Sequence, residues 1–171
     1  MMKRDNVVTF MGNPLTLIGP ELAVGAAAPD FSVVNTDLGP VTLADCQGKV
    51  TILAAVPSLD TPVCDMETRR FNQEALALGD AVRVLTISMD LPFAQKRWCG
   101  NAGIAHVQTV SDYQTASFGQ AYGVLIDGLR LLARAVFVVD SQGELAHVQI
   151  VPELTHEPDY AAVLEAVQKA L

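Results

Sequence analysis

The sequence predicts an α/β fold, a central mixed sheet flanked by helices with an N-terminal β-hairpin in front of it. Three observations carry this. Residues 50–56 form an apolar run rich in β-branched residues, and 81–89, interrupted by Arg83, form a second strand of the same buried type. A stretch of helical periodicity separates them, and two parallel strands need such a crossover. Residues 135–139 and 145–151 flank Asp140-Ser-Gln-Gly143, a hairpin signal that makes the sheet mixed.

The elements follow in order. Residues 7–18 form two short apolar runs around Gly12-Asn13-Pro14, and the hairpin extension is assigned to residues 1–20. Residues 26–34 lead into a strand, and 40–43 give a short one. The run 50–56 stops at Pro57. A helix then starts with Thr61 as N-cap and Pro62 in the first helical position, where a missing N–H costs nothing. It runs to about Leu78, before Gly79-Asp80. After 81–89, Asp90-Leu91-Pro92 opens a short helix ending at Gly100. A third strand is expected at 107–110 and a third helix at 113–121. An amphipathic helix from about Pro158 closes the chain, with Tyr160, Val163, Leu164 and Val167 on one side. No repeat or linker interrupts residues 1–171, so one domain is expected. A thioredoxin-like fold fits this order best.

Composition narrows the function. A chain of 171 residues, half of them apolar and 18% charged, builds a packed core. Eleven basic against nineteen acidic residues give a net charge of -8, which argues against a nucleic-acid partner. The longest apolar run, 52–57, is too short to span a bilayer. Lys3 and Arg4 are followed by Asp5 and Asn6 rather than by the apolar stretch of a signal peptide, so a soluble, cytoplasmic protein is expected. The three cysteines, Cys46, Cys64 and Cys99, are an odd and widely spaced set. They suit a reducing compartment, where a disulfide is transient and catalytic rather than structural. No two of these cysteines and His106, His147 and His156 have zinc-ligand spacing, and no cofactor or metal is expected.

The chemistry concentrates in residues 57–71. Cys64 is the third residue of the helix that Thr61-Pro62 begins, where unpaired N–H groups and the positive end of the helix dipole favour a thiolate. Positions 64, 68, 71, 75 and 78 share one helical face and hold Cys, Thr, Phe, Ala and Leu. On such a face a cysteine can equally be a small buried hydrophobe. The residues alone leave both readings open. Asp65 and Glu67 work against a thiolate, and Arg69 and Arg70 offset them. Cys99, beside Trp98, sits at the carbonyl end of its helix, which suits a thiol that answers an oxidised partner better than a first nucleophile. Its alternative is again packing. Arg69, Arg70, Lys96, Arg97, Arg130 and Arg134 make up more than half of the eleven basic residues and gather near these cysteines and Arg134, enough for a locally positive field. Arg134 taken alone reads as a surface or ion-paired arginine. Cys46, in a turn or short helix before the first core strand, has no assigned role.

The pattern Pro57-x-x-x-Thr61-x-x-Cys64 resembles the active-site pattern of the peroxiredoxins. Ser58-Leu-Asp-Thr-Pro-Val-Cys-Asp65, Arg70-Phe-Asn-Gln73, Asp90-Leu-Pro-Phe-Ala-Gln95 and Ala133-Arg-Ala-Val136 are similar to the atypical two-cysteine, thiol peroxidase branch of that family, in order and over nearly the whole chain. The resemblance implies a peroxidatic role for Cys64, attacking hydrogen peroxide or organic hydroperoxides, and a resolving role for Cys99 through a Cys64–Cys99 disulfide. It implies that Thr61 and Arg134 hydrogen-bond thiolate and peroxide, that Pro57 shields the pocket from water, and that a thioredoxin-type protein is the reductant. It also implies a homodimer, for which residues 113–122 are a candidate interface. Because such cysteines on separate helices rarely meet disulfide geometry, rearrangement between redox states is expected. A dithiol oxidoreductase would need Cys-x-x-Cys, and Thr61 stands in the first position. A cysteine hydrolase would need a histidine partner, such as His106 or His147. A non-catalytic binding module is the third alternative.

Overall fold

The computed structural model describes residues 2–171; Met1, the first residue of the expected hairpin segment, lies outside them. In chain order the elements are β1 (Lys3–Phe10), β2 (Asn13–Ile18), β3 (Ser32–Asn35), β4 (Pro40–Thr42), β5 (Val50–Ala55), α1 (Pro62–Leu78), β6 (Val82–Ser88), α2 (Pro92–Ala102), β7 (Gln108–Ser111), α3 (Ser117–Ala121), β8 (Leu125–Ile126), β9 (Ala135–Val139), β10 (Leu145–Ile150) and α4 (Tyr160–Ala170). Seven strands form one mixed sheet in the order β10-β9-β5-β6-β7-β3-β4. Its centre is parallel, β5 to β6 and β6 to β7, and the remaining pairs are antiparallel. The two apolar runs are neighbours, joined by α1 as the crossover.

Alternation along the central strands divides the core. Ile52, Ala54, Val84, Val136 and Val138 pack under α1 and α4 against Phe71, Ala75, Val163 and Val167. Leu53, Ala55, Leu85, Ile87 and Phe137 face the other way, toward Val8, Leu17, Phe118 and Tyr122 from the hairpin and α3. Phe118 and Tyr122 stack at 4.3 Å, and Tyr122 meets Phe137 edge-on at 5.0 Å. β1, β2 and the two-residue β8 make a smaller antiparallel sheet. The β1–β2 turn is Met11-Gly12 with φ of 51° and 83°, so both central residues are left-handed, as a tight hairpin turn requires.

Two boundaries differ from the sequence reading. α2 passes through Gly100 and ends at Gly103, which takes φ 67° and donates its N–H to the Cys99 carbonyl. Of the two glycines, the one in the left-handed conformation is the stop. The expected helix 113–121 is only Ser117–Ala121. The Asp112 carboxylate takes the N–H groups of Phe118 and Gly119 at 3.0 and 2.8 Å, which fixes the helix start beyond residues 113–116. The apolar side chains Phe118 and Tyr122 turn inward and pack into the core.

Candidate active site

β5 delivers the chain to Pro57 and a short loop, and α1 carries it away. The loop is fixed by Asp90 at the end of β6: its carboxylate accepts from Ser58 Oγ at 2.7 Å, Leu59 N–H at 2.9 Å and Ser88 Oγ at 2.7 Å. Thr61 occupies the N-cap position, where its carbonyl accepts from Asp65 N–H, but its hydroxyl does not cap the helix. It donates instead to the Ser58 carbonyl at 2.8 Å and stays at the surface of the site. With Pro62 next, the free N–H groups of the first turn belong to Val63 and Cys64.

Cys64 is fully buried against Val56, Leu59 and Trp98. Burial alone would describe a packing residue. What distinguishes it is Arg134, the residue before β9, whose Nη2 donates to Cys64 Sγ at 3.3 Å. Arg134 is 2% exposed. Its Nη1 donates to Glu67 Oε2 at 2.7 Å, and its Nε and Nη2 donate to the Leu154 carbonyl at 3.0 and 2.8 Å. A planar guanidinium held by three hydrogen bonds to two acceptors has one orientation, and that orientation points at the sulfur. Burial pulls the Arg134 pKa down, but the cysteine and Glu67 outweigh it and the net shift is upward. Glu67 lies on the buried side of α1, where burial raises its carboxyl to about 7 against the opposing pull of Arg134.

The charge balance at the sulfur therefore differs from the sequence reading. Arg69 pairs with the part-buried Asp65, Arg70 with the part-buried Glu74 and Lys96 with the exposed Asp37, each basic group at a solvent-exposed position. Of the basic cluster it is Arg134 that hydrogen-bonds Cys64. Glu67 acts on the site through that arginine, a role its position three residues after Cys64 did not reveal. Asp90 was legible only as a helix start.

Cys99 lies in the last turn of α2, half-buried, with Sγ 3.3 Å from Thr109 Oγ1 on β7. Its neighbour Trp98 packs against Cys64 and donates its indole N–H to Asp65 at 2.9 Å. The two thiols thus occupy separate environments, and all three cysteines are free. Cys46, buried in a short 3-10 turn, points its thiol at the Thr42 carbonyl, and burial pushes its pKa up. His106 lies in the loop before β7 and His147 on β10, and the hydrogen-bond donor on Cys64 is an arginine rather than either of them.

Pro57, Thr61 and Arg134 come together at a cavity of about 310 Å³ whose walls are Phe10, Met11 and Leu129, among other apolar groups. Arg134 and, from the start of α1, Val63 stand in its lining, and the buried sulfur is reached from it through the Arg134 guanidinium that hydrogen-bonds it. This arrangement sets a hydrogen-bond donor on the sulfur and stabilises negative charge on oxygens brought beside it.

Comparison with known proteins places the chain in a family. The Redoxin family model matches residues 23–164. The thiol peroxidase of Halalkalibacterium halodurans is 56% identical over 164 residues, covering 96% of this chain and 98% of that protein. The thiol peroxidase of Bacillus subtilis is 54% identical over 161 residues, covering 94% and 96%. A crystal structure of a peroxiredoxin-like protein from Aquifex aeolicus superposes with a TM-score of 0.90 at 46% identity, covering 96% of each chain. The chain belongs to the Redoxin family, with the thioredoxin-like architecture of the peroxiredoxins. Its activity is that of a thiol-dependent peroxidase.

Proposed function

We propose that Cys64 is the peroxidatic nucleophile and Cys99 its resolving partner. The observation that carries this is the 3.3 Å contact from the buried, three-way-anchored Arg134 to Cys64 Sγ beneath an apolar cavity. The thiolate of Cys64 attacks one oxygen of a hydrogen peroxide or organic hydroperoxide. The S–O bond forms as the O–O bond breaks, and the leaving oxygen takes a proton to give water or an alcohol. Arg134 and the helix N–H groups meet the charge that develops on the oxygens, and the Thr61 hydroxyl hydrogen-bonds the substrate. Pro57, buried in the wall of the same cavity, limits water at the sulfur. Cys64 is left as a sulfenic acid, and the Cys99 thiolate displaces its oxygen as water to form the disulfide. A thioredoxin-type dithiol then reduces that disulfide by exchange.

Closing the disulfide requires movement. Cys99 points to Thr109, while Trp98 is the residue of α2 turned toward Cys64, so the first turn of α1 and the last turn of α2 rearrange on oxidation. Faster hydrogen exchange in those segments of the oxidised protein is expected; equal exchange in both redox states would refute the rearrangement. The principal test is one equivalent of hydroperoxide followed by intact mass and peptide mapping. Two thiols per chain should disappear into a Cys64–Cys99 bond. Cys64→Ser should be inactive, and Cys99→Ser should hold a sulfenic acid that a dimedone-type reagent traps. Finding neither the bond nor oxidation at Cys64 overturns the assignment. The proposal includes a cytoplasmic homodimer. No helix among the described residues is long and apolar enough to cross a membrane. Sedimentation of the full chain tests the dimer.

A further inference from the structure

Glu153, in the loop after β10, touches none of the groups assigned to the chemistry, yet both of its carboxylate oxygens are fully engaged. Oε1 accepts from the Gly12 N–H at 2.8 Å and from Thr9 Oγ1 at 2.9 Å. Oε2 accepts from the Thr155 N–H at 2.9 Å and its hydroxyl at 2.7 Å. The main chain repeats the tie: Thr9 N–H donates to the Pro152 carbonyl at 2.7 Å, and Leu154 N–H to the Thr9 carbonyl at 2.9 Å. These donors hold the Glu153 carboxyl down at about 2, so it stays ionised at any ordinary pH. One carboxylate thus fastens the tip of the β1–β2 hairpin to the loop that also supplies the Leu154 carbonyl to Arg134.

What the tip carries is unusual for a turn. Phe10 is 45% exposed and Met11 is 73% exposed, and both stand in the wall of the cavity that ends on Thr61 and Arg134. Met11 is left-handed at φ 51°, where an L-residue other than Asn, Asp or Gly is disfavoured, and Asn-Gly is the preferred pair for such a turn. Neither turn geometry nor solvation accounts for a large apolar side chain in that place. A role toward something apolar in the cavity does.

We propose that Phe10 and Met11 are specificity-determining residues that wall the cavity against the organic part of a hydroperoxide, and that Glu153 is the positioning residue that holds them there. The inference rests on Cys64 being the nucleophile. A hydroperoxide with a bulky apolar substituent gains the hairpin wall, and hydrogen peroxide, too small to reach from Arg134 to the tip, does not. The discrimination is thus built from a segment that precedes the central sheet and contributes nothing to the reacting atoms.

The test is the ratio of kcat/KM for cumene hydroperoxide to kcat/KM for hydrogen peroxide, measured on the full chain with a dithiol reductant. Met11→Asn removes the apolar wall and gives the turn its preferred Asn-Gly pair, so the variant folds at least as well. It should lower the ratio about tenfold, through a raised KM for cumene hydroperoxide. Glu153→Gln puts an amide N–H against one pair of donors, loosens the tip and should lower the ratio in the same direction. An unchanged ratio in Met11→Asn overturns the specificity role. A Glu153→Gln chain that loses both substrates in proportion overturns the positioning role, since that is the signature of a purely structural residue. Cys64→Ser is assayed alongside: turnover surviving in it would defeat the nucleophile assignment, a result separate from either ratio.

Discussion

Arg134 is where sequence and chemistry meet most tightly. It uses Nε, Nη1 and Nη2 at once, on the Leu154 carbonyl, Glu67 and Cys64. A lysine has a single donor group on a flexible stem and cannot reproduce that fork. Arg134→Lys keeps the positive charge but loses the fixed direction, and should lower kcat/KM for hydroperoxide by ~10²-fold, the scale of one lost donor at a reacting oxygen. Circular dichroism should show the fold intact, and a variant with unaltered kcat/KM would mean that charge alone suffices. From the sequence, Arg134 was an arginine ahead of a buried strand, and only its family pattern singled it out. Its burial could not be read, because the partner that makes burial tolerable, Glu67, comes from a different element 67 positions away. Cys64 was more legible: Thr61-Pro62 fixes a helix start locally, and local signals survive in sequence. The Thr61 hydroxyl was read as a cap and is not one, since the Ser58 carbonyl competes for it successfully.

Between elements, the joint that matters is α1 against α2. Trp98 donates its indole N–H to Asp65 at 2.9 Å, and Arg69 both pairs with Asp65 at 2.9 Å and lies 5.8 Å from the Trp98 ring centroid. This knot holds Trp98 between the helices and keeps Cys99 turned toward β7. For Cys99 to reach Cys64, the knot must open. Trp98→Phe keeps an aromatic ring in place and removes the donor, a loss of about 1 kcal/mol, or ~5-fold in a rate if the bond is broken before the barrier. Quenched alkylation and mass spectrometry after a peroxide pulse should show faster disulfide closure by about that factor. Unaltered or slower closure would place the Trp98–Asp65 bond off the path. The helix pairing behind this was not visible in the sequence, where Trp98 was merely the neighbour of Cys99. Element boundaries failed in the same way. Gly100 and Gly103 are equal candidates as helix stops until the backbone shows that Gly103 takes the left-handed turn. Asp112 starts α3 late because it binds N–H groups six and seven residues ahead. Strand runs at 50–56 and 81–89 are legible because burial on both faces leaves a mostly apolar record, interrupted only at the part-buried Arg83 and at small hydroxyl residues, whereas the two residues of β8 leave none.

For the whole molecule, the charge balance acquires a direction. The chain carries a net charge of -8 at neutral pH with a pI near 4.7, so self-repulsion grows as pH rises from 5. Two buried carboxyls act in the same sense. Burial raises Glu67 from 4.5 to about 7 and Asp112 from 3.8 to about 6. Above their unfolded values and below their folded ones, the folded protein binds more protons than the unfolded chain. Stability contributed by these groups is therefore complete below pH 4 and is lost as pH rises through 6 and 7. Glu153 acts oppositely: its backbone and hydroxyl donors depress it to about 2, so its contribution is complete above 4.5 and is lost as pH falls from there toward 2. The sum places the stability maximum on the mildly acidic side, near pH 5, rather than at neutrality. Urea unfolding at pH 5 and pH 8 should show the higher midpoint at pH 5. Glu67→Gln removes one titration while leaving an acceptor for Arg134, and the difference between the two midpoints should shrink even though the variant is less stable at both. A difference that survives undiminished would mean that Glu67 remains ionised across the whole range, held by Arg134 against its burial.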